Sequence, residues 1–365
     1  MADIYDYLRW RGDIPFTADP FNEVDNLVLS ELAYVDFDEV LSDSFRKVSV
    51  KTADERFFAT HSRDEARQSS NHILRSPLLM DHMLSGSRFC DMKLTKYVDI
   101  LNADKEMQFA AVTCLLNDGS AFVSFRGTDN TLVGWKEDFN MSYLPDLDGQ
   151  LSAVKYLNEV GANIKGPLRV GGHSKGGNFA VYAAAFCDKE VQDRILKVYT
   201  NDGPGFRHEV MSREGYKTIL PKVVSIVPDT SIIGMLLTSS VKHIVVKSRE
   251  KGIMQHDATT WQIERNRFVI REPSALGVFI RHSQQDWLSK IDDESREQFV
   301  NTLFSILEAT GAVTFGEMKV NKLKSIERML SSIKELPKEK QEELRSILAE
   351  LIQSGRQVAR RRRLK

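Results

Sequence analysis

Ser174 stands between two glycines in Gly172-His173-Ser174-Lys175-Gly176, directly after an apolar run and directly before an alanine-rich stretch. A serine in a sharp strand-to-helix turn presents its hydroxyl as a nucleophile for acyl transfer. Pro167 to Gly171 predicts the buried strand, and Asn178 to Cys187 predicts a helix of small residues. The turn between them has room for little more than hydrogen two positions before and after the serine, which Gly172 and Gly176 satisfy. The same pentapeptide also describes a glycine-rich turn without chemistry, or one that holds an anion on its free amides. The serine's partners therefore decide.

A hydroxyl needs an imidazole to take its proton, a carboxylate to orient that imidazole, and amide donors for the oxyanion. In a sheet of parallel strands these groups come from loops at the carboxyl ends, in the order serine, acid, histidine. Two aspartates directly follow strands after the serine: Asp202 in Asn201-Asp202-Gly203-Pro204-Gly205, and Asp229 in Val227-Pro228-Asp229. The usual arrangement takes the acid from the second strand after the nucleophile strand, which selects Asp229 and leaves Asp202 to an Asx-turn or a cap on the Gly-Pro-Gly loop. His256 follows the last apolar strand in a turn-forming segment and is the expected base. His243 falls inside that strand, His173 is expected to point away from the cleft, and His208 and His282 lie in helical or linker contexts. The oxyanion donors are expected at the amide of Lys175 and at Thr128, whose amide and hydroxyl follow the tight turn of Arg126-Gly127. A plain β-turn is the alternative for that segment.

These residues need a scaffold. Asn26 to Tyr34 has apolar residues at helical spacing, and residues near Asp54 to Leu84 read as further helices, whereas the opening through Gly12 and Pro20 reads as irregular. Strands begin after about Tyr97, and Met107 to Leu116, Asn117-Asp118-Gly119 and Ser120 to Phe125 spell a hairpin. Leu151 to Gly161 is a predicted helix, and Leu196 to Thr200, Val223 to Val227 and His243 to Lys247 are predicted strands. Strands alternating with helices imply a mostly parallel sheet covered on both faces, begun by an antiparallel hairpin. Beyond about Arg281, Glu294 to Leu307, Lys319 to Ile333 and Lys338 to Ile352 predict an amphipathic helical appendage.

A chain of 365 residues, 42% hydrophobic and 28% charged, suits one large globular domain with a smaller appendage. Its formal net charge of −1 argues against a surface built for nucleic acid, and no nucleic-acid partner is expected. That value conceals an imbalance: from Gly311 onward 14 Lys and Arg face 7 Asp and Glu, a net of +7, so residues 1–310 carry −8. The terminal Gly355 to Lys365, with Arg360 to Arg363, could dock on an anionic membrane or be a solvated tail. Cys90, Cys114 and Cys187 are few and scattered, as expected of reduced thiols in a cytoplasmic protein, and neither a metal cluster nor an organic cofactor is expected. The amino-terminal residues lack a secretory pattern, and no run approaches the ~20 apolar residues of a spanning helix. Ser231 to Ser240 is apolar enough to form an acyl-binding wall or lid, and equally suits ordinary core packing.

Phe125-Arg126-Gly127-Thr128, then Trp135 and Asp138, then Gly172-His173-Ser174-Lys175-Gly176-Gly177 resemble the FRGT, W-x-x-D and GHSxGG signatures of class 3 lipases, an α/β-hydrolase family. The resemblance covers roughly Asn26 to Trp261 and looks closest to a bacterial branch in which a Gln-His-Asp-x-x-x-Trp segment supplies the histidine. It implies Ser174 as nucleophile, Asp229 as acid, His256 as base, Thr128 and Lys175 as oxyanion donors, and Arg126 with Asp138 as braces of the oxyanion loop. Lys175 departs from the apolar residue common at its position and is expected to set a cation beside the cleft. The Val-Pro-Asp-Thr-Ser order around Asp229 is a second departure. The expected architecture is an α/β-hydrolase fold over residues 91–281, with a helical segment at 1–90 packed on it and a helical region with a basic tail at 282–365. The expected activity is hydrolysis of carboxylic esters, lipid acyl esters among them. The alternatives are a non-catalytic lipid-binding or scaffold protein, and a thioesterase or peptidase using the same triad.

Overall fold

The computed structural model describes residues 2–349, apart from 70, 130, 236, 289, 315, 316, 318–321, 343, 344, 347 and 348. The basic tail from Gly355 to Lys365 and the end of the helix expected at Lys338 to Ile352 lie outside the described residues.

Eight strands run in chain order across one sheet: β1 (Val48–Ser49), β2 (Lys93–Asn102), β3 (Met107–Leu115), β4 (Ala121–Phe125), β5 (Leu168–His173), β6 (Ile195–Asn201), β7 (Val223–Pro228) and β8 (His243–Val246). The pairings from β1 to β4 are antiparallel and the four from β4 to β8 are parallel. The expected hairpin is β3–β4, with Gly119 supplying the positive φ of its turn. β2 begins earlier than expected, because a bulge between Thr95 and Val98, with Lys96 at φ 50°, interrupts its alternation. Beside the sheet, β9 (Ile263–Glu264) and β10 (Arg267–Phe268) form a small ribbon.

Helices α1 (Ile4–Arg11), α2 (Glu23–Leu32), α3 (Val50–Thr60), α4 (Arg63–Gln68), α5 (His72–Arg75) and α6 (Leu78–Met83) precede or flank the antiparallel strands. The opening residues are thus helical rather than irregular: Asp3 caps α1 through a reciprocal bond with Asp6, and Ile4, Tyr5, Tyr7 and Leu8 are buried. α2 lies across β4, β5 and β6, with Leu27, Val28 and Leu32 fully buried against one face of the sheet.

The other face is covered by α8 (Asp148–Asn163) and α9 (Lys175–Phe186), preceded by α7 (Leu132–Asn140) and followed by α10 (Lys189–Asp193), α11 (His208–Ser212) and α12 (Glu214–Ile219). Here Phe179, Ala180, Ala183 and Ala184 of α9 meet Val123, Phe125 and Val170 of the sheet, the small residues allowing close approach. Strand, turn and helix follow one another from β5 to β7, and β8 joins β7 in parallel, which gives the α/β-hydrolase fold with helices on both faces. The C-terminal part is helical, as α13 (Ala275–Leu288), α14 (Asp293–Glu308) and α15 (Lys322–Glu335). α14 anchors on α7: Val300 and Phe304 pack with Trp135, Phe139 and Tyr143. Among the described residues no helix is long and apolar enough to cross a membrane.

Candidate active site

Ser174 lies between β5 and α9 with φ 57° and ψ −133°, a conformation that ordinary side chains avoid. The strain expected of an elbow is present. Gly172 and Gly176 are required by contact: a Cβ on Gly176 would lie 2.1 Å from the Phe125 carbonyl oxygen, and one on Gly172 would lie 2.4 Å from the Gly176 backbone. The serine side chain is thereby lifted above the carboxyl edge of the sheet.

His256 closes a 3-10 turn after β8, and its Nε2 lies 2.9 Å from Ser174 Oγ. Its Nδ1 lies 2.7 Å from a carboxylate oxygen of Asp202, not of Asp229. A carboxylate only accepts, so Nδ1 carries the proton and Nε2 accepts from the serine hydroxyl. Trp261, fully buried, donates its indole N–H to the Gln255 carbonyl at 2.8 Å and fixes this turn. The structure brings Ser174 and His256, 82 residues apart in the chain, within hydrogen-bond distance.

The acid expected from strand counting is displaced by one strand. β5 pairs directly with β6, His173 opposite Asn201, and the Ser174 N–H donates to the Asn201 carbonyl at 2.9 Å, so the next residue, Asp202, falls beside the serine. β7 is one strand farther, and at a spacing of about 4.8 Å per strand its aspartate starts roughly 10 Å from the nucleophile strand. Asp229 instead accepts the Ser274 N–H at 2.6 Å and pairs with Arg271 at 3.2 Å. Asp202 has no exposed side-chain surface, sits at φ 52°, and accepts a second hydrogen bond from Ser231 Oγ. Its position directly after the strand neighbouring β5 was the available signal.

The two residues expected as amide donors lie on elements that border the serine. Lys175 is the first residue of α9, so its N–H has no acceptor within the helix. Thr128 follows β4 in the loop of Gly127, where a Cβ would lie 2.9 Å from that of Ser174 and 2.2 Å from the Tyr34 hydroxyl. The Thr128 hydroxyl donates to Asp138 at 2.5 Å and is therefore committed to the loop. Burial pushes the Asp138 carboxyl up to about 6, with the Lys175 cation pulling it back. Arg126 forks onto Asp99 at 2.5 and 2.8 Å, holding the loop's other end.

The Lys175 ammonium is not beside the cleft. It is buried beneath the oxyanion loop, 2.7 Å from Glu137 of α7 and 3.2 Å from the Gln108 amide oxygen, which also accepts the Asp129 N–H at 3.4 Å. A helix-opening side chain directed along its own sheet face meets α7 before it meets solvent, and a carboxylate there neutralises it. Glu137 also accepts from the backbone of Gln108 and of Gly149, so the pair is well hydrogen-bonded.

His173 is buried and turned away from the cleft, yet it touches the base. Its Nε2 donates to the His256 carbonyl at 2.8 Å, its ring lies against the His256 ring at 4.6 Å, and Tyr34 donates its hydroxyl to Nδ1 at 2.9 Å. Burial holds His173 down at about 3, so the ring is neutral. Behind it, Glu31 is fully buried and bonded to His72 at 3.2 Å. Burial disfavours a charged His72, but the hydrogen bond and charge of Glu31 outweigh it and raise the imidazole above its ordinary value. Tyr34, Glu31, Gln108 and Glu137 reach the site only through tertiary packing, and no spacing in the sequence marks them.

Burial pushes the thiols of Cys114 and Cys187 up to about 12, which keeps them out of nucleophilic chemistry. Two residues of the segment read as a wall or lid approach Asp202: Ser231 bonds it, and Gly234 lies so close that a Cβ would be 2.3 Å from the Asp202 carboxylate.

A family model described as Mbeg1-like matches residues 83–305, more than half of the chain. No curated protein matches. Among solved structures, the chain is similar to the native Rhizomucor miehei lipase propeptide complex, at 16% identity over 46% of this chain and 58% of that one, with a TM-score of 0.34. It is also similar to M37 lipase, at 16% identity over 60% and 70% of the two chains and a TM-score of 0.37. Lip2 lipase from Yarrowia lipolytica matches at 14% identity over 47% and 69%, with a TM-score of 0.33. The chain spans less than two thirds of the Rhizomucor miehei protein's length.

Proposed function

The chain belongs to the Mbeg1-like family, and from that premise we propose that it is a serine hydrolase cleaving carboxylic esters, lipid acyl esters among them, through an acyl-enzyme intermediate. The observation that carries this reading is the unbroken hydrogen-bonded line from Ser174 Oγ through His256 to Asp202. His256 Nε2 takes the hydroxyl proton as Oγ attacks the ester carbonyl, and Asp202 holds the ring in the tautomer that can do so. The negative charge that collects on the carbonyl oxygen falls to the N–H groups of Thr128 and Lys175. His256 then gives its proton to the departing alkoxide. Water, activated by the same ring, attacks the acyl-serine, which releases the carboxylic acid and returns the proton to Oγ.

A fluorophosphonate probe and a series of p-nitrophenyl esters of rising acyl length test the reading on the full chain. Wild type should be labelled at Ser174 and turn over at least one chain length. Ser174→Ala should lose labelling and on the order of a millionfold in turnover, the loss typical when such a triad acts as a unit. An unlabelled wild-type serine would overturn the reading in favour of a non-catalytic hydrolase-fold protein.

A further inference from the structure

Arg281, on α13, is partly buried, and its Nε is fully buried with no hydrogen-bond partner. A guanidinium stays charged at any working pH, and a donor drawn out of water without an acceptor is costly. Its neighbour Arg271 differs, being paired with Asp229. Arg281 lines a cavity of about 590 Å³ between segment 234–241, β8 and residues 270–273. That volume falls within the roughly 300–1,000 Å³ of sites that take small molecules. Met235, Leu237, Ile244 and Ile270 give it apolar walls, and Ile270 is 63% exposed, so the cavity opens to solvent.

The Arg281 charge is felt at His243. Burial and then the Arg281 charge hold its imidazole at about 4, with the Asp202 carboxylate pulling weakly the other way. Its Nδ1 is taken by Ser225 at 2.8 Å. Lys242 and Glu272, both exposed, stand at the rim and offset each other. Neither Ser174, Asp202 nor His256 lines this cavity.

We infer that the cavity binds an amphiphilic anion, a carboxylate or phosphate monoester on an apolar chain, with its head on Arg281 and its chain along Met235, Leu237 and Ile270. A bare anion would leave the apolar walls wet, and a neutral hydrocarbon would leave the buried Nε of Arg281 without an acceptor. Both halves of the ligand are needed. This site stands whether or not Ser174 reacts.

Calorimetric titration of the full chain with decanoate, decyl phosphate, decanol and inorganic phosphate tests it. At least one of the two amphiphilic anions should bind, the better one naming the head group, while decanol and inorganic phosphate bind at least about tenfold more weakly. Arg281→Gln should weaken the bound anion by about tenfold or more and leave fluorophosphonate labelling of Ser174 at the wild-type rate. In the wild type, NMR of His243 should show its pKa rising from about 4 as the bound anion offsets the Arg281 charge. Decanol binding as tightly as the anions, inorganic phosphate matching decyl phosphate, or unchanged affinity in Arg281→Gln would each overturn the assignment. So would a His243 signal unmoved at saturating anion, a result that holds even if the variant fails to fold. Loss of binding after Ser174 is labelled would move the ligand to the reaction centre and also overturn it.

Discussion

Asp202 and Asp229 differ by one strand, and their partners make opposite predictions. Asp202→Asn would place an amide against His256 Nδ1, favouring the tautomer with its proton on Nε2, where it can no longer accept from Ser174. Turnover should fall by about 10⁴-fold, the loss typical of this exchange in a serine triad. Asp229→Asn weakens only the contact with the partly exposed Arg271 and should leave turnover near wild type. Ester hydrolysis by the two purified variants checks both, and equal losses would return the acid to Asp229. His173 makes a prediction about pH. Its folded pKa of about 3 lies below the unfolded value of about 6.5, so below pH 6.5 the unfolded chain takes up a proton that the folded chain refuses. Stability therefore falls as pH is lowered across that window, by up to about 1.4 kcal/mol per unit from this group. His173→Gln removes the titration while its amide can still donate to the His256 carbonyl. Urea unfolding from pH 7.5 to 5.5 should shift the stability difference by about 1 kcal/mol in the variant's favour; a constant difference would contradict the neutral buried ring.

The turn between β5 and α9 concentrates its demands on backbone proximity. A methyl group on Gly176 meets carbonyl and peptide atoms of Phe125 and Arg126, which cannot rotate away, so Gly176→Ala should cost about 3 kcal/mol or more. Gly119, in the β3–β4 turn, has open space around it and needs only its φ of 79°, so Gly119→Ala should cost about 1–2 kcal/mol. Urea denaturation of the two variants compares them, and losses of similar size would remove the special status of the elbow. This contrast also explains what the sequence makes legible. Apolar runs bounded by turn residues reveal β5 to β8, and the glycine spacing reveals the elbow, because both are local. α1 escapes detection because its aromatic and charged residues are mixed, although the Asp3 and Asp6 cap is present. The ammonium of Lys175 and the hydroxyl of Tyr34 find partners 38 and 139 residues away, and only the folded sheet brings them together. The acid is an intermediate case, visible as two candidates after two strands but decided by which strand adjoins β5.

The amino-terminal helices are tied to the chain that leads into β2 by a buried ion pair within residues 1–90. Arg88 and Asp25 are both fully inaccessible, joined at 2.7 and 2.5 Å, and Arg88 also donates to the carbonyls of Ile14 and Asp19 while Tyr7 donates to Asp25. Arg88→Met would leave Asp25, whose pKa burial already raises, without its cation, and should cost about 3–5 kcal/mol. Thermal and urea unfolding measure this loss, and a variant within 1 kcal/mol of wild type would show that the pair contributes little to holding the segment. The same helices deliver Tyr34 to His173, so their docking reaches the base as well as the core. Strand order carries a consequence for synthesis. Since every strand lies beside its predecessor in the chain, the sheet can be laid down plank by plank as the polypeptide leaves the ribosome. Ser174 emerges 82 residues ahead of His256, which at about 5–20 residues per second is a delay of roughly 4–16 s. Under the proposed mechanism, the nascent protein throughout that interval displays a serine hydroxyl with no imidazole to take its proton, until translation has passed β8.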